Sequence, residues 1–258
     1  FGVVVNGEAR AYPKRILAWH EMATDEVGGV KLTVVYCTLC GTVIPYRSVV
    51  GGTLRTFGTS GLLYRSNKLM FDEETGSLWS TLDGTPVVGP LIESKLVLEP
   101  EPVVTTTWGE WRRAHPATTV VSLETGFDRD YSEGAAYREY FESDQLMFRV
   151  PRPDTRLRNK DEILGLLLPA QGGGRQAVAF SVAFLDRQRV YHGTWEGVSL
   201  VVLSSERGAN RIYDAGPNRF KGWRDATHVV DTSNQVWEVA EEALVGPGGR
   251  MRLPRRAA

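Results

Sequence analysis

Two stretches of this chain, residues 1 to about 100 and 163 to about 250, carry the same text in the same order. Phe1-Gly2-Val3-Val4-Val5 reads against Leu164-Gly165-Leu166-Leu167-Leu168, and Gly29 through Val35 reads against Gly197 through Leu203. Ile44 falls on Ile212 and Phe57 on Phe220. Asp72 through Trp79 matches Asp231 through Trp237 with one residue dropped, and Val88-Gly89-Pro90 matches Val245-Gly246-Pro247. Self-similarity kept in order over so many segments predicts a fold built from two degenerate copies of one unit.

Each copy reads as mostly strand. Val3 to Val5, Lys31 to Tyr36, Thr42 to Tyr46, Thr53 to Thr56 and Val87 to Leu91 are short, β-branched and bounded by Gly or Pro. Pro13 suits the start of a helix in which Ile16, Leu17, His20 and Glu21 fall around one turn. Its counterpart, Ala177 to Leu185, is apolar nearly throughout and fits a strand or a buried helix. The expected class is α+β and β-rich: two mostly antiparallel sheet units with few short helices. The expected boundaries are 1–100 for the first repeat, 101–162 for a connector, 163–250 for the degenerate second repeat and 251–258 for an Arg-rich tail that frays. In the connector, Thr107-Trp108-Gly109-Glu110 is a capping box opening a helix that ends at His115-Pro116. Thr125 to Phe148 is too rich in rings to be disordered and is expected to wrap across both halves and bury them.

The only two cysteines in 258 residues lie in Tyr36-Cys37-Thr38-Leu39-Cys40-Gly41. Such a pair can hold a metal, cycle with a disulfide, or pack as small inert hydrophobes. Gly41 favours a sharply turned, accessible backbone, against the inert reading. A redox pair normally opens a helix whose dipole lowers the thiol pKa, whereas Thr42-Val43-Ile44-Pro45-Tyr46 reads as strand. Strand, knuckle, strand suits a metal. A closed zinc site needs four ligands, so the partners of Cys37 and Cys40 must come from His, Met or carboxylate. His20, on the helix of the same copy, is the first candidate, with Glu21 to orient it. Met70 is the second, and a thioether beside two thiolates favours copper over zinc. In the second copy Cys37 falls on Ser205, Cys40 on Gly208 and His20 near Arg187, so the soft donors are missing there while the framework is kept.

The stretch from Phe57 to Trp79 is longer than its counterpart. Gly58 and Gly61 allow close approach of a ligand, and Tyr64, Ser66, Asn67, Lys68 and Asp72 are groups that could fix a substrate. Tyr64, Lys68 and Asp72 are the candidate catalytic residues. Net charge is −1, which gives no footprint for nucleic acid, and no apolar run reaches the roughly 18 residues of a membrane span. The chain opens Phe1-Gly2-Val3 without Met or a charged-then-apolar leader, as a trimmed sequence does, so any leader would precede it.

Several of these segments together resemble an uncharacterised prokaryotic family, the domain of unknown function 3179. They are Val5-Asn6-Gly7-Glu8-Ala9-Arg10-Ala11-Tyr12-Pro13, Trp19-His20-Glu21, the cysteine turn, Phe57 to Trp79, and Thr125-Gly126-Phe127-Asp128-Arg129-Asp130-Tyr131. The chain departs from that family's usual text at Arg65, where Asn is typical, and at Glu73, where Arg is typical. The resemblance implies a secreted or lipid-anchored, extracytoplasmic protein and names no reaction. In such a compartment an unliganded pair closes into a disulfide, and a bound metal protects it.

Three readings follow. The first is a metal-dependent protein, an enzyme acting on a small molecule, with Cys37, Cys40, His20 and Met70 around copper, or zinc as the alternative. The second is a thiol–disulfide protein with Cys37 as the exposed nucleophile and Cys40 resolving. The third is a binding module in which the two cysteines form a local disulfide.

Overall fold

A computed structural model describes residues 1–249 and 251–257. The chain is β-rich, with short helices and mostly antiparallel sheets. It forms two compact units: residues 1, 5–101 and 119–161 make the first, and residues 2–4, 102–118 and 162–258 make the second. The stretch expected as a connector is therefore shared between the units.

In the first unit the helix Lys14–His20 precedes a three-stranded meander, Met22–Val27, Val30–Cys37 and Thr42–Arg47. A four-stranded meander follows: Phe57–Tyr64, Asn67–Asp72, Leu78–Ser80 and Thr85–Val88. Val30–Cys37 is buried from Leu32 onward, and its second half, Val34-Val35-Tyr36-Cys37, reads as a continuous apolar run. Gly28 makes the turn before it at φ +55°, where a Cβ would strike the Val5 carbonyl oxygen at 2.1 Å. The core gathers Val35, Tyr46, Val50, Phe57, Met70, Trp79 and Leu98.

The second unit also runs helix, three strands, four strands, without a counterpart of the short hairpin Val49–Val50/Thr53–Leu54. The hairpin Ile163–Pro169/Arg175–Ser181 leads into the helix Val182–Leu185, so the ambiguous apolar stretch is strand and then helix. The strands Val190–Trp195, Val198–Ser204 and Asn210–Asp214 follow, then Phe220–Trp223, His228–Asp231, Val236–Val239 and Ala243–Val245. The C-terminal strand Arg252–Arg256 lies between Asn210–Asp214 and Ala243–Val245, joining both meanders into one eight-stranded sheet. The fraying expected of this segment is thus corrected. Arg255 is buried and pairs with Glu241, which also takes Arg211. Arg256 holds Asp214 at 2.6 Å. The N-cap half of the capping box is present: Thr107 Oγ1 accepts the Glu110 N–H at 3.3 Å, the Glu110 carboxylate takes the Thr106 hydroxyl, and the helix runs Trp108–Ala114.

The aromatic segment belongs to the first unit. Tyr140 is buried as expected, but Phe127 is 63% exposed and Phe141 48%, so the ring-burying expectation holds only in part. No helix among the described residues is long and apolar enough to cross a membrane.

Candidate functional site

The cysteine turn sits at the end of Val30–Cys37, whose last residue faces Thr42 across the hairpin. The Cys37 carbonyl oxygen accepts the N–H groups of Cys40 and Gly41 at 3.2 and 2.8 Å. Cys37 and Cys40 are joined by a disulfide, with Cα atoms 5.2 Å apart. Cys37 ends an inward-facing strand and is 4% exposed, while Cys40, on the turn, is half-buried. The expected order of exposure is thereby reversed: Cys40 is the more exposed of the two.

Three elements grip this turn. Thr38 Oγ1 donates to the Ala18 carbonyl at 3.0 Å, anchoring it to the helix. The Tyr140 hydroxyl donates to the Leu39 carbonyl at 2.8 Å. Cys40 Sγ lies 3.2 Å from the Ser66 carbonyl oxygen, on the hairpin Phe57–Tyr64/Asn67–Asp72. That hairpin turns through Arg65 and Ser66 at φ +50° and +64°, the left-handed pair required by a two-residue type I′ turn. Asn is the ordinary non-glycine residue for such a backbone, in keeping with the Asn that the resemblance implies where this chain has Arg65.

The helix ends at Glu21, also left-handed at φ +59°, and this cap sends His20 and Glu21 to different partners. His20 Nε2 meets the Tyr131 hydroxyl at 2.5 Å, and that hydroxyl meets Thr125 Oγ1 at 2.6 Å. Burial, with the Arg129 charge, pushes the His20 pKa down and so favours the neutral ring. Glu21 does not orient His20, as the sequence suggested. Its Oε2 takes Lys68 Nζ and, at 3.1 Å, Thr59 Oγ1. Lys68 is buried, and desolvation holds its ammonium below the usual lysine range despite Glu21.

Of the remaining predicted residues, Met70 and Asp72 are buried in the core. Met70 is fully buried between Thr59 and Trp79 in the sheet, packed in the core. Asp72 is also fully buried. Its oxygens accept Trp79 Nε1 at 2.7 Å, Thr75 N at 2.7 Å and Thr75 Oγ1 at 2.8 Å, with Arg55 at 3.3 Å. Burial alone would raise this carboxyl, but those bonds and the Arg55 charge hold it below the usual range. Tyr64 is half-buried under the Arg65 guanidinium, 5.1 Å from its ring centre. Asn67 ties Thr42 to Thr81. What closely approaches Gly58 is the Phe71 ring, 2.3 Å from where a Cβ would stand, and no ligand is needed to explain it. The structure thus brings Cys40 against Ser66, and Lys68 against Glu21, while Met70 and Asp72 stay in the core.

Among the described residues no three His, Cys, Asp or Glu side chains group as metal ligands. With His20 on Tyr131 and Met70 in the core, the pair offers a metal, once reduced, its two thiolates. Reading the sequence missed Thr38, Thr59, Tyr131 and Tyr140. The ring-rich segment signalled that tyrosines there matter, but nothing in it marks which one meets Leu39.

A family model described as "Protein of unknown function (DUF3179)" matches residues 1–255. The chain belongs to that family. No curated protein and no solved structure matches it. Every residue of the cysteine turn, the hairpin and the His20–Tyr131 pair lies within the matched region.

Proposed function

We propose that the protein is a thiol–disulfide redox protein whose working group is Cys37–Cys40. The observation that carries this reading is the closed disulfide within one hairpin turn, with Cys37 buried and Cys40 half-buried. A more exposed and a buried cysteine give exchange a direction. A thiolate of a partner dithiol attacks Cys40 Sγ, the S–S bond breaks, and Cys37 leaves as thiolate and takes up a proton. The partner's second thiol then displaces Cys40, leaving the partner oxidised by two electrons and this chain as a dithiol. The Ser66 carbonyl accepts the Cys40 thiol proton in the reduced state. The extracytoplasmic location implied by the resemblance accords with a pair that rests closed.

The test is thiol counting by alkylation and intact mass across glutathione and dithiol buffers spanning about −120 to −300 mV, with circular dichroism to follow folding. The expected result is two thiols appearing together, at one midpoint, in folded protein. Should the bond open only on unfolding throughout that range, the pair is a local staple and the binding-module reading takes over. Metal analysis of the reduced protein, prepared anaerobically, tests the copper or zinc reading separately: one equivalent lost in Cys37→Ser would support it.

A further inference from the structure

We infer that Tyr140 is a positioning residue of the thiol–disulfide centre, clamping the turn in its ring-closed form and tying the order of residues 138–160 to the redox state. The inference rests on the redox reading above. The disulfide closes a ring whose backbone contains only two residues between the sulfurs, Thr38 and Leu39. The side chain of the first is fixed to the helix by the Ala18 carbonyl, and the carbonyl of the second is fixed by the Tyr140 hydroxyl at 2.8 Å. Tyr140 is 2% exposed, so its hydroxyl cannot readily exchange that partner for bulk water. Its ring is backed by Lys160, whose Nζ stands 3.7 Å from the ring centre and donates to the Tyr140 and Ser143 carbonyls. The Leu39 carbonyl thus joins the cysteine ring to a segment 100 residues away in sequence that has little else buried: Arg138, Phe141, Met147 and Arg149 are all exposed.

Opening the S–S bond frees the direction of the Leu39 peptide, since the bonds internal to the turn are then the two N–H bonds to the Cys37 carbonyl, while Thr38 stays tied to Ala18. A bond made in the closed form and loosened in the open form favours closure, and linkage makes the effect reciprocal: closure orders the segment. One net hydrogen bond of ordinary size corresponds to about 5-fold in the equilibrium. The sequence contains the complementary control, because Tyr46 also donates its hydroxyl to a carbonyl, that of Thr81, in the core of the same unit.

The experiment equilibrates the wild type, Tyr140→Phe, Lys160→Gln and Tyr46→Phe in one series of glutathione buffers and counts alkylated thiols. In parallel, trypsin cleavage after Arg138 and Arg149 is followed by mass spectrometry with the pair closed and open. Tyr140→Phe is expected to move the dithiol-to-disulfide ratio about 5-fold toward dithiol, or about 20 mV for a two-electron couple. Lys160→Gln moves it the same way, and Tyr46→Phe leaves it in place while lowering stability. Cleavage at the two arginines rises several-fold on reduction of the wild type and is already raised in oxidised Tyr140→Phe. A wild type that cycles normally while Tyr140→Phe keeps the same midpoint and the same cleavage rates overturns the clamp alone. A wild type that never yields thiols while folded overturns the redox reading, and the clamp with it.

Discussion

The two units bury the same pair of bonds and differ at the same turn. In the first, Asp72 accepts Trp79 Nε1 at 2.7 Å and the Phe57 ring meets Trp79 edge-on. In the second, Asp231 accepts Trp237 Nε1 at 2.9 Å and Phe220 meets Trp237 edge-on. At the turn, Leu32 faces Arg47 across the first hairpin while Leu200 faces Asp214 across the second, so the second hairpin is one residue shorter. Gly208, at φ +81°, therefore occupies the place of Gly41, at φ +70°, and not that of Cys40 as the ungapped reading had it. The second turn is held by Ser205 Oγ, which takes the N–H groups of Arg207 and Ala209. It borders a cleft of about 500 Å³ lined by Thr105, Thr106, Asp186 and Arg207. The first turn instead carries a disulfide and is gripped by Thr38 and Tyr140. A hydroxyl suffices to shape such a turn, so shape alone does not account for the sulfurs and their clamps.

The largest expected effect tests the shared part. Asp72→Ala strands the Trp79 and Thr75 donors and leaves Arg55 buried without its carboxylate, at a cost of about 3–5 kcal/mol. Asp231→Ala strands Trp237 and two backbone N–H groups but no buried cation, and costs about 1–3 kcal/mol. Denaturant melts of both variants check the ranking. Equal costs would mean that the Arg55 pair adds nothing, and a catalytic role for Asp72 would regain ground if its loss spared stability.

The fold was largely legible because the strands are β-branched segments punctuated by glycines, and because Asp-to-Trp recurs at nearly fixed spacing. The tail was not. Its arginines read as a solvated run, and only the tertiary partners Glu241 and Asp214 make a strand of it. The site was half legible. Cys37, Cys40 and Lys68 stand out by type, but sequence cannot show that a left-handed Glu21 turns its carboxylate to Lys68 and leaves His20 to Tyr131. Met70 and Asp72 were drawn toward the site by sequence proximity, whereas in the strand Asn67–Asp72 both fall on positions buried in the core.

A smaller effect separates the units by pH. The folded-state pKa of His20 lies below its ordinary value, so in the window between the two the unfolded chain holds a proton that the folded chain does not. Stability therefore rises with pH through that window and is lost as pH falls through it. The physical cause is burial, which disfavours the imidazolium, with the Arg129 charge adding to it. His20→Gln is expected to flatten the acid loss between about pH 7 and 5, read as midpoint denaturant concentration against pH. A slope unchanged from the wild type would place the acid sensitivity elsewhere, with His192 of the second unit, also pushed down by burial, the next to replace.

The smallest effect concerns the hairpin that only the first unit extends. Arg65 holds φ +50° with a long side chain whose guanidinium lies over Tyr64. Left-handed backbone costs a residue of this kind roughly 1 kcal/mol, and Asn less. Arg65→Asn is thus expected to stabilise the first unit by about 0.5 kcal/mol, the strain relieved being partly offset by the lost cation–π contact. Because the next residue, Ser66, supplies the carbonyl against Cys40, the same variant should leave the thiol–disulfide midpoint unmoved if the turn is merely relaxed in place. A shifted midpoint without a gain in stability would show instead that Arg65 acts on the disulfide through Ser66, and that this chain's departure from the family's Asn tunes the centre.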